Sequence, residues 1–427
     1  MSQTFRTADV AIIGAGTTGA AAAMLCARRG LETVCVERRD LTEAGARWVN
    51  GVPASFFDRA GIARPEAPER MAMGVDFHLV AGWGPERVVV RDHELMEVDM
   101  RLLVERLQRG ARDAGAELVG STRVEGMADG HLQTSRGPIE ARWYIDASGM
   151  TGARLLGHPA PAPRDICAAA QAVHTVTDTA AARRFCEEHD VSPGHTLCFT
   201  GIEGGYSILN VRVDDDHVSL LTGSIPAEGH RSGHAILQEF AAAQPWIGER
   251  QFGGSRAIPI RRPYARFHEG NRAVIGDAAC QVFSAHGSGI GPGLVAARFL
   301  ADALAEGRGL AGYTRDWQRH FGGLFAGYTV FRRFSQTLSP EVLETLMRTG
   351  LMDAEMAAQG LLQQMPSPDL DLIASKLKAA ARAPRLALQL TPVLAKMGAA
   401  QLLYAGYPAS ETRRTQWRRL VDVVLGI

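Results

Sequence analysis

Three glycines and two carboxylates, far apart in the chain, carry the first chemical signal. Gly14, Gly16 and Gly19 stand as G-x-G-x-x-G, with Thr18 inside the motif, directly after the apolar run Val10 to Ile13. In such a motif the first glycine turns the chain, and the second lets a pyrophosphate approach the backbone. The third lets the following helix pack closely on the sheet. Glu37 ends the next apolar run, Thr33 to Val36, where a carboxylate can accept from both hydroxyls of an adenosine ribose. More than two hundred residues later, "VIGDAACQVFSAHGSGIGPGLVAARF" begins at Val274. It puts Asp277 at the end of another apolar run and Gly289-Ile290 at the start of another helix.

The glycine motif alone separates neither NAD from FAD. The second segment favours FAD, because a flavin needs a site for its ribityl chain and ring as well as for its adenosine. Asp277 can bond ribityl hydroxyls. The helix opening at Gly289 offers free N–H groups and a positive dipole end to the flavin edge where negative charge collects on reduction, a contact typically worth about 0.3–1 kcal/mol.

The elements that must position these groups follow from the pattern. Val10 to Ile13 and Thr33 to Val36 read as buried parallel strands, joined by an Ala-rich helix ending near Gly30. Glu117 to Arg142 reads as a hairpin. "ICAAAQAVHTV", "YSILNVRV", "HVSLLTGS" and "SRAIPIRRPY" read as an antiparallel sheet over the flavin. The expected fold class is α/β: a Rossmann-type FAD-binding domain (residues 1–155 and 266–335), an inserted antiparallel substrate domain (156–265) and a C-terminal helical addition (336–427). In that addition "SPEVLETLM" and "SPDLDLIASKL" both start with Ser-Pro-acid, an N-cap followed by Pro at the first helical position.

Composition bounds the rest. The chain has 427 residues, 46% of them hydrophobic, and a formal net charge of zero, which implies no basic face for nucleic acid or anionic lipid. No apolar run reaches the ~18 residues of a membrane span, so no span is expected. Six cysteines form neither a C-x-x-C pair nor a zinc spacing, which suits a reducing, cytoplasmic location. His230 and His234 lie four apart without a third ligand, so no metal site is expected. Lys occurs only at 376, 378 and 396.

The chain resembles the FAD-dependent para-hydroxybenzoate hydroxylase superfamily, and within it the geranylgeranyl reductases and flavin-dependent halogenase-like monooxygenases. Four segments carry the likeness: Gly14 to Arg39, "GARWVNGVPASFFDRAGI", "WYIDASGMTGARLLG" and Gly276 to Arg298. In the last, Gly276, Asp277, Ala279, Gly287 and Gly289 keep the pattern, while Ser284 replaces the usual Pro. The resemblance implies that Glu37, with Arg38 beside it, holds the ribose, and that Arg47 and Arg101 lie along the pyrophosphate or ribityl chain. It further implies that Val124 meets the adenine through its backbone, that Asp277 binds ribityl, and that Gly289 and Ile290 meet the flavin edge. For Arg47 and Arg101 the alternative is a solvated surface charge.

Departures from the family narrow the activity. The Lys that halogenases of this type place in the FAD domain is absent, as is their Trp-x-Trp-x-Ile-Pro. The prenyl-reductase motif Tyr-x-Trp-x-Phe-Pro keeps Tyr206 but has Ile208, Asn210 and Val211 elsewhere. The expected activity is therefore hydroxylation of an aromatic or other electron-rich carbon through a flavin C4a-hydroperoxide. NAD(P)H or a reduced-flavin donor supplies the electrons, and an organic molecule and O2 are the substrates. His286, Tyr206, Gln171 and Asn50 are the candidate catalytic groups. A protein- or carrier-bound substrate, such as tryptophan in quinone-cofactor biogenesis, is a further option. The alternative class is a reductase of the geranylgeranyl type.

Overall fold

A computed structural model describes residues 6–366 and 370–427. The Ser367-Pro368-Asp369 cap read from the sequence lies outside the described residues. The first sheet is built on the strand Arg6–Ile13, paired in parallel with Thr33–Val36 on one side and Ile139–Asp146 on the other. Glu117–Val119 and Arg272–Val274 extend it in parallel at its two flanks. Helices cover one face of the central strands, burying Val10, Ile12 and Cys35, and the hairpin of Val124–Ala128 and His131–Thr134 covers the other, burying Ala11, Ile13 and Val34. The helix Thr17–Ala27 lies against the helix Ile290–Ala305. A Cβ on Gly19 would sit 1.8 Å from the carbonyl oxygen of Gly14, so only glycine lets this helix start so close to its strand.

The second sheet runs in the order Ile247–Pro259, Ile166–Val176, His217–Ser224, Ser207–Val213, Thr196–Thr200, Phe77–Ala81, Arg87–Val90. Alternation along Ser207–Val213 sends Leu209, Val211 and Val213 into a core with Leu197, Phe199 and Trp246. Ile208, Asn210 and Arg212 face the other way, into a cavity. Three details depart from the sequence reading. The hairpin read over Glu117 to Arg142 is confined to Val124–Ala128 and His131–Thr134, because Glu117–Val119 joins the first sheet in parallel beside Thr33–Val36. The stretch 77–90, placed above in the FAD-binding domain, pairs with the substrate sheet: Phe77–Ala81 runs parallel to Thr196–Thr200. The last strand is Ile247–Pro259, earlier than "SRAIPIRRPY" suggests, because Pro259 and Pro263 carry no N–H for the ladder. A small third sheet joins Val49–Pro53, Leu95–Asp99 and Arg70–Met73.

From Pro340 onward the described chain is helical, with Ser339 and Pro340 at the N-cap and first turn of Pro340–Thr349 as read. The helix Pro384–Ala405 docks on Gly323–Ser335 through a glycine face, where a Cβ on Gly322 would meet the Tyr404 ring at 2.1 Å. The helix Pro384–Ala405, 22 residues long, holds an 18-residue stretch of mean hydropathy 1.2, long and apolar enough to cross a membrane, although no uninterrupted apolar run of that length occurs in it. Gln389, Lys396 and Gln401 interrupt the run in sequence without removing its apolar character.

The FAD-binding and substrate portions are tied at a buried ion pair. Arg332, fully buried on the helix Gly323–Ser335, donates to Asp165 Oδ1 at 2.6 Å and to Gln336 Oε1 at 2.6 Å. Arg332→Ala leaves the Asp165 carboxylate with Arg333 alone, at 3.5 Å. The expected loss, read as the urea midpoint, is about 3–5 kcal/mol.

Candidate active site

Two helix N-termini point into one cleft, at the carboxyl ends of the parallel strands. Gly16 caps Thr17–Ala27 and Gly289 caps Ile290–Ala305, and neither end has a side-chain cap. Their first-turn N–H groups are thus open to an anion or a polar ring edge. Gly16 and Gly45 form a side-chain-free cradle, for a Cβ on Gly16 would already stand 3.1 Å from the Gly45 Cα. Thr18 wedges between Gly276 and Gly293, where a Cβ would approach its hydroxyl to 2.9 and 2.2 Å. It packs the two FAD segments together.

Glu37 is buried at the end of its strand and accepts from the backbone N–H groups of Ala15 at 3.0 Å and Arg39 at 3.1 Å. Asp277 lies at the opposite end of the cleft, one residue into the turn Gly276–Ala279, with its Oδ1 2.8 Å from where a Gly289 Cβ would be. Burial pushes its carboxyl above the ordinary range, and Arg256 opposes that shift. Arg256 is the residue the sequence reading missed. It donates to the Gly45 carbonyl and stands within electrostatic reach of Asp277 at one end and Arg39, Arg38 and Glu37 at the other. An isolated Arg in a strand gives no sequence signal.

The remaining expected cofactor residues are placed as follows. Arg38 and Arg47 are exposed, and Arg47 donates to the Thr42 carbonyl at 2.6 Å. Arg101 pairs with Asp99 at 2.6 Å and stacks over Phe252 at 3.8 Å. Val124 opens the strand Val124–Ala128 and is partly buried against the apolar cluster that includes Ala11, Ile13 and Val34. Cys280 is buried against Tyr264, and burial pushes its thiol up to about 12, so it carries no thiolate at neutral pH.

A cavity of about 660 Å³ adjoins this cleft. One wall is Trp48 to Gly51 with Ala285 to Ser288; the opposite wall is the face of the second sheet. From there it runs under the C-terminal helices past Leu343, Leu346, Met356, Leu390 and Met397. All four candidate catalytic residues, Asn50, Gln171, Tyr206 and His286, line it. They differ in what they have free. Gln171 has both amide atoms taken by Val49: Oε1 accepts its N–H at 2.6 Å and Nε2 donates to its carbonyl at 2.7 Å. It clamps the substrate sheet to the flavin-side strand. His286 shares Nε2 with the Gly360 carbonyl at 3.2 Å, which fixes the proton on that nitrogen. Tyr206 has its hydroxyl 3.6 Å from where a Gly287 Cβ would sit, and burial raises its pKa well above 10, so it stays a neutral donor.

The sequence also gave no hint of the cavity's polar end. There Glu97 pairs with Arg212 and accepts from Thr196 Oγ1 at 3.3 Å. Burial raises the Glu97 carboxyl, and Arg212 offsets only part of the shift. Among the described residues four buried polar atoms of lining side chains, Trp48 Nε1, Asn210 Oδ1, Arg212 Nε and Ser288 Oγ, lack a partner and could meet a bound molecule. Asp76, His78 and His195 also come together, but alternation turns them away from the cavity wall made by Phe77 and Leu79, and Arg91 holds Asp76 at 3.0 Å.

These groups fit FAD. The uncapped N-termini and glycine cradle suit its pyrophosphate, Glu37 its ribose, and Asp277 and Arg256 its ribityl chain. Histidine burial then predicts a pH response. Desolvation lowers His286 from 6.5 to about 4, and His268 likewise. Between about pH 6.5 and 4 the unfolded chain takes up protons that the folded chain refuses, so stability is present above that window and falls as pH falls through it. The melting temperature should drop across this range, and the His268→Asn, His286→Asn double variant should flatten the drop.

Comparison with known proteins agrees with this geometry. A family described as FAD dependent oxidoreductase matches residues 9–67. The digeranylgeranylglycerophospholipid reductase of Sulfolobus acidocaldarius is 24% identical, covering 98% of this chain and 97% of that protein. The menaquinone reductase of Mycolicibacterium smegmatis is 25% identical, covering 90% and 98%. Among solved structures, a geranylgeranyl bacteriochlorophyll reductase-like protein from Thermoplasma acidophilum superposes with a TM-score of 0.72 at 16% identity, over 91% of this chain and all of that one. The probable FAD-dependent monooxygenase pqsL of Pseudomonas aeruginosa does so at 0.54 and 17%, over 83% and 98%. The chain is an FAD-dependent oxidoreductase with a Rossmann-type FAD-binding fold, similar in sequence to the geranylgeranyl reductases and in fold to these reductases and monooxygenases.

Proposed function

We propose that the protein reduces carbon–carbon double bonds in an isoprenoid chain carried by a lipid or quinone. The observation that carries this is the cavity: about 660 Å³, mostly apolar, running from the flavin turn at Ala285 to Ser288 out under the C-terminal helices. Its volume is that of a small-molecule site, and its length suits an extended chain better than a compact ring. Reductases among the relatives support the same reading. It displaces hydroxylation, expected from the sequence, from first place.

Reduced FAD, when bound, supplies two electrons and a proton to the double bond. The chain's own residues do the rest. Ile208, Leu221 and Leu79 line the apolar path, exclude water and hold the alkene in line. Tyr206 is the group we assign to hold the second proton, since its hydroxyl is neutral and close to Gly287. Asn210 and the Glu97–Arg212 pair bind the polar end of the substrate.

The test is anaerobic: the FAD-loaded protein, dithionite as the electron source and a geranylgeranyl lipid, read by mass spectrometry. A gain of two hydrogens per reduced bond is expected, with Tyr206→Phe slowed. No gain without O2 would reject the reading. One observation keeps hydroxylation as a second reading: Ile208, Asn210 and Val211 stand where prenyl reductases have Trp, Phe and Pro. Uptake of one 18O atom from 18O2 into an aromatic substrate would establish it.

A further inference from the structure

The overall charge of zero hides a strong asymmetry. From Lys376 to Ile427 there are nine Lys or Arg and two acids. Both acids are occupied: Asp422 pairs with Arg262 and Glu411 with Arg266. Among the described residues Lys378, Arg382, Arg385, Arg418 and Arg419 are exposed without an ion-pair partner.

Large exposed apolar side chains gather on these same helices. Pro384–Ala405 buries Val393, Met397, Ala400 and Tyr404, and turns Leu388 and Leu402, 74% and 78% exposed, to the outside. Leu377 on Leu370–Arg382, and Leu420 and Val423 on Glu411–Leu425, are exposed as well. The outward stripe of Pro384–Ala405 through Leu388, Pro392, Ala395 and Leu402 carries no charge. An apolar stripe bordered by cations is the pattern of a helix lying in a bilayer's headgroup boundary. The cavity reaches the same surface, because Leu394 and Gly398 are at once cavity wall and exposed.

We propose that these C-terminal helices seat the protein on an anionic lipid bilayer, with Pro384–Ala405 lying in the interface and the cavity opening toward the acyl chains at Leu394. This corrects the inference from net charge, which averages the basic C-terminal helices against an acidic remainder. The proposal stands on charge and exposure and does not need the reductase reading; its test uses no substrate and reads no turnover.

The FAD-loaded protein is mixed with vesicles of phosphatidylcholine alone or of phosphatidylcholine with phosphatidylglycerol, then sedimented. Binding to the anionic vesicles is expected, weakening with added salt. Arg418→Gln with Arg419→Gln should weaken it roughly 25-fold. Leu388→Glu with Leu402→Glu should weaken it at least about tenfold. Neither residue pair lines the cavity, and both variants should keep their FAD and melting temperature. Equal binding to neutral vesicles, no binding to either, or no effect of the substitutions would overturn the proposal. So would resistance to alkaline carbonate, which marks a span, or a stable dimer in solution that Leu388→Glu with Leu402→Glu dissolves, which marks a subunit contact.

Discussion

Asp277→Ala is expected to purify nearly colourless, while Cys280→Ser stays yellow. The two residues are three apart on one turn, yet they differ in what they can offer a cofactor. Asp277 puts a carboxylate into the cleft, facing Arg256 and the uncapped N-terminus at Gly289. Removing it deletes the acid at that end and takes from Arg256 the stronger of its two carboxylate neighbours, leaving Glu37 at the far end. A charge-assisted hydrogen bond typically contributes about 1.5–3 kcal/mol, so FAD affinity should fall about 10- to 150-fold. Cys280 buries its thiol against Tyr264, and serine can fill that place. The measurement is flavin absorbance per protein after gel filtration. Equal occupancy in the two variants would show that Asp277 does not hold the ribityl chain.

Ile208→Trp should slow turnover of a long apolar substrate strongly without touching the cofactor. Ile208 faces the cavity from the start of its strand, and a Gly223 Cβ would lie only 3.7 Å from its Cγ1. An indole there crosses the path between the flavin turn and the C-terminal helices. Overpacking costs about 1–3 kcal/mol where the structure must yield. A substrate forced to meet that cost in the transition state loses roughly 10- to 150-fold in kcat/KM. FAD content should be unchanged, because Ile208 lines the cavity and none of the groups that fit the cofactor is altered. A short alkene that does not reach past residue 208 should lose less, and equal losses for both lengths would argue against a linear path.

What could be read from the sequence follows from how local each signal is. The glycine motif, Glu37 and the helix opening at Gly289 are each a few residues long and carry their own geometry, so their strands and helices appear where the spacing puts them. The cavity is assembled from segments scattered from Trp48 to Gly398, and no local pattern announces that they meet. Gln171 shows the difference. A polar residue in an apolar strand reads as catalytic, yet its partner is the Val49 backbone, 122 positions away. Arg256 and the Glu97–Arg212 pair were missed for the same reason: each is an ordinary charged residue until its distant neighbours are known. The basic C-terminal helices were visible in composition and were lost only by averaging over the whole chain.

The strand Phe77–Ala81 carries a consequence for the chain's birth. It lies beside Thr196–Thr200, about 120 residues later in sequence, and parallel pairing across such a gap forms slowly. At a synthesis rate of about 5–20 residues per second, its partner emerges some 6–24 s after it does. Throughout that interval Phe77, Leu79 and Val80 have no sheet to join on that side. The substrate sheet therefore cannot be finished as a self-contained insert. A fragment covering residues 156–265 alone should come out of a cell aggregated, and the newborn full-length chain should depend on chaperones that cover nascent strands until the missing neighbour arrives.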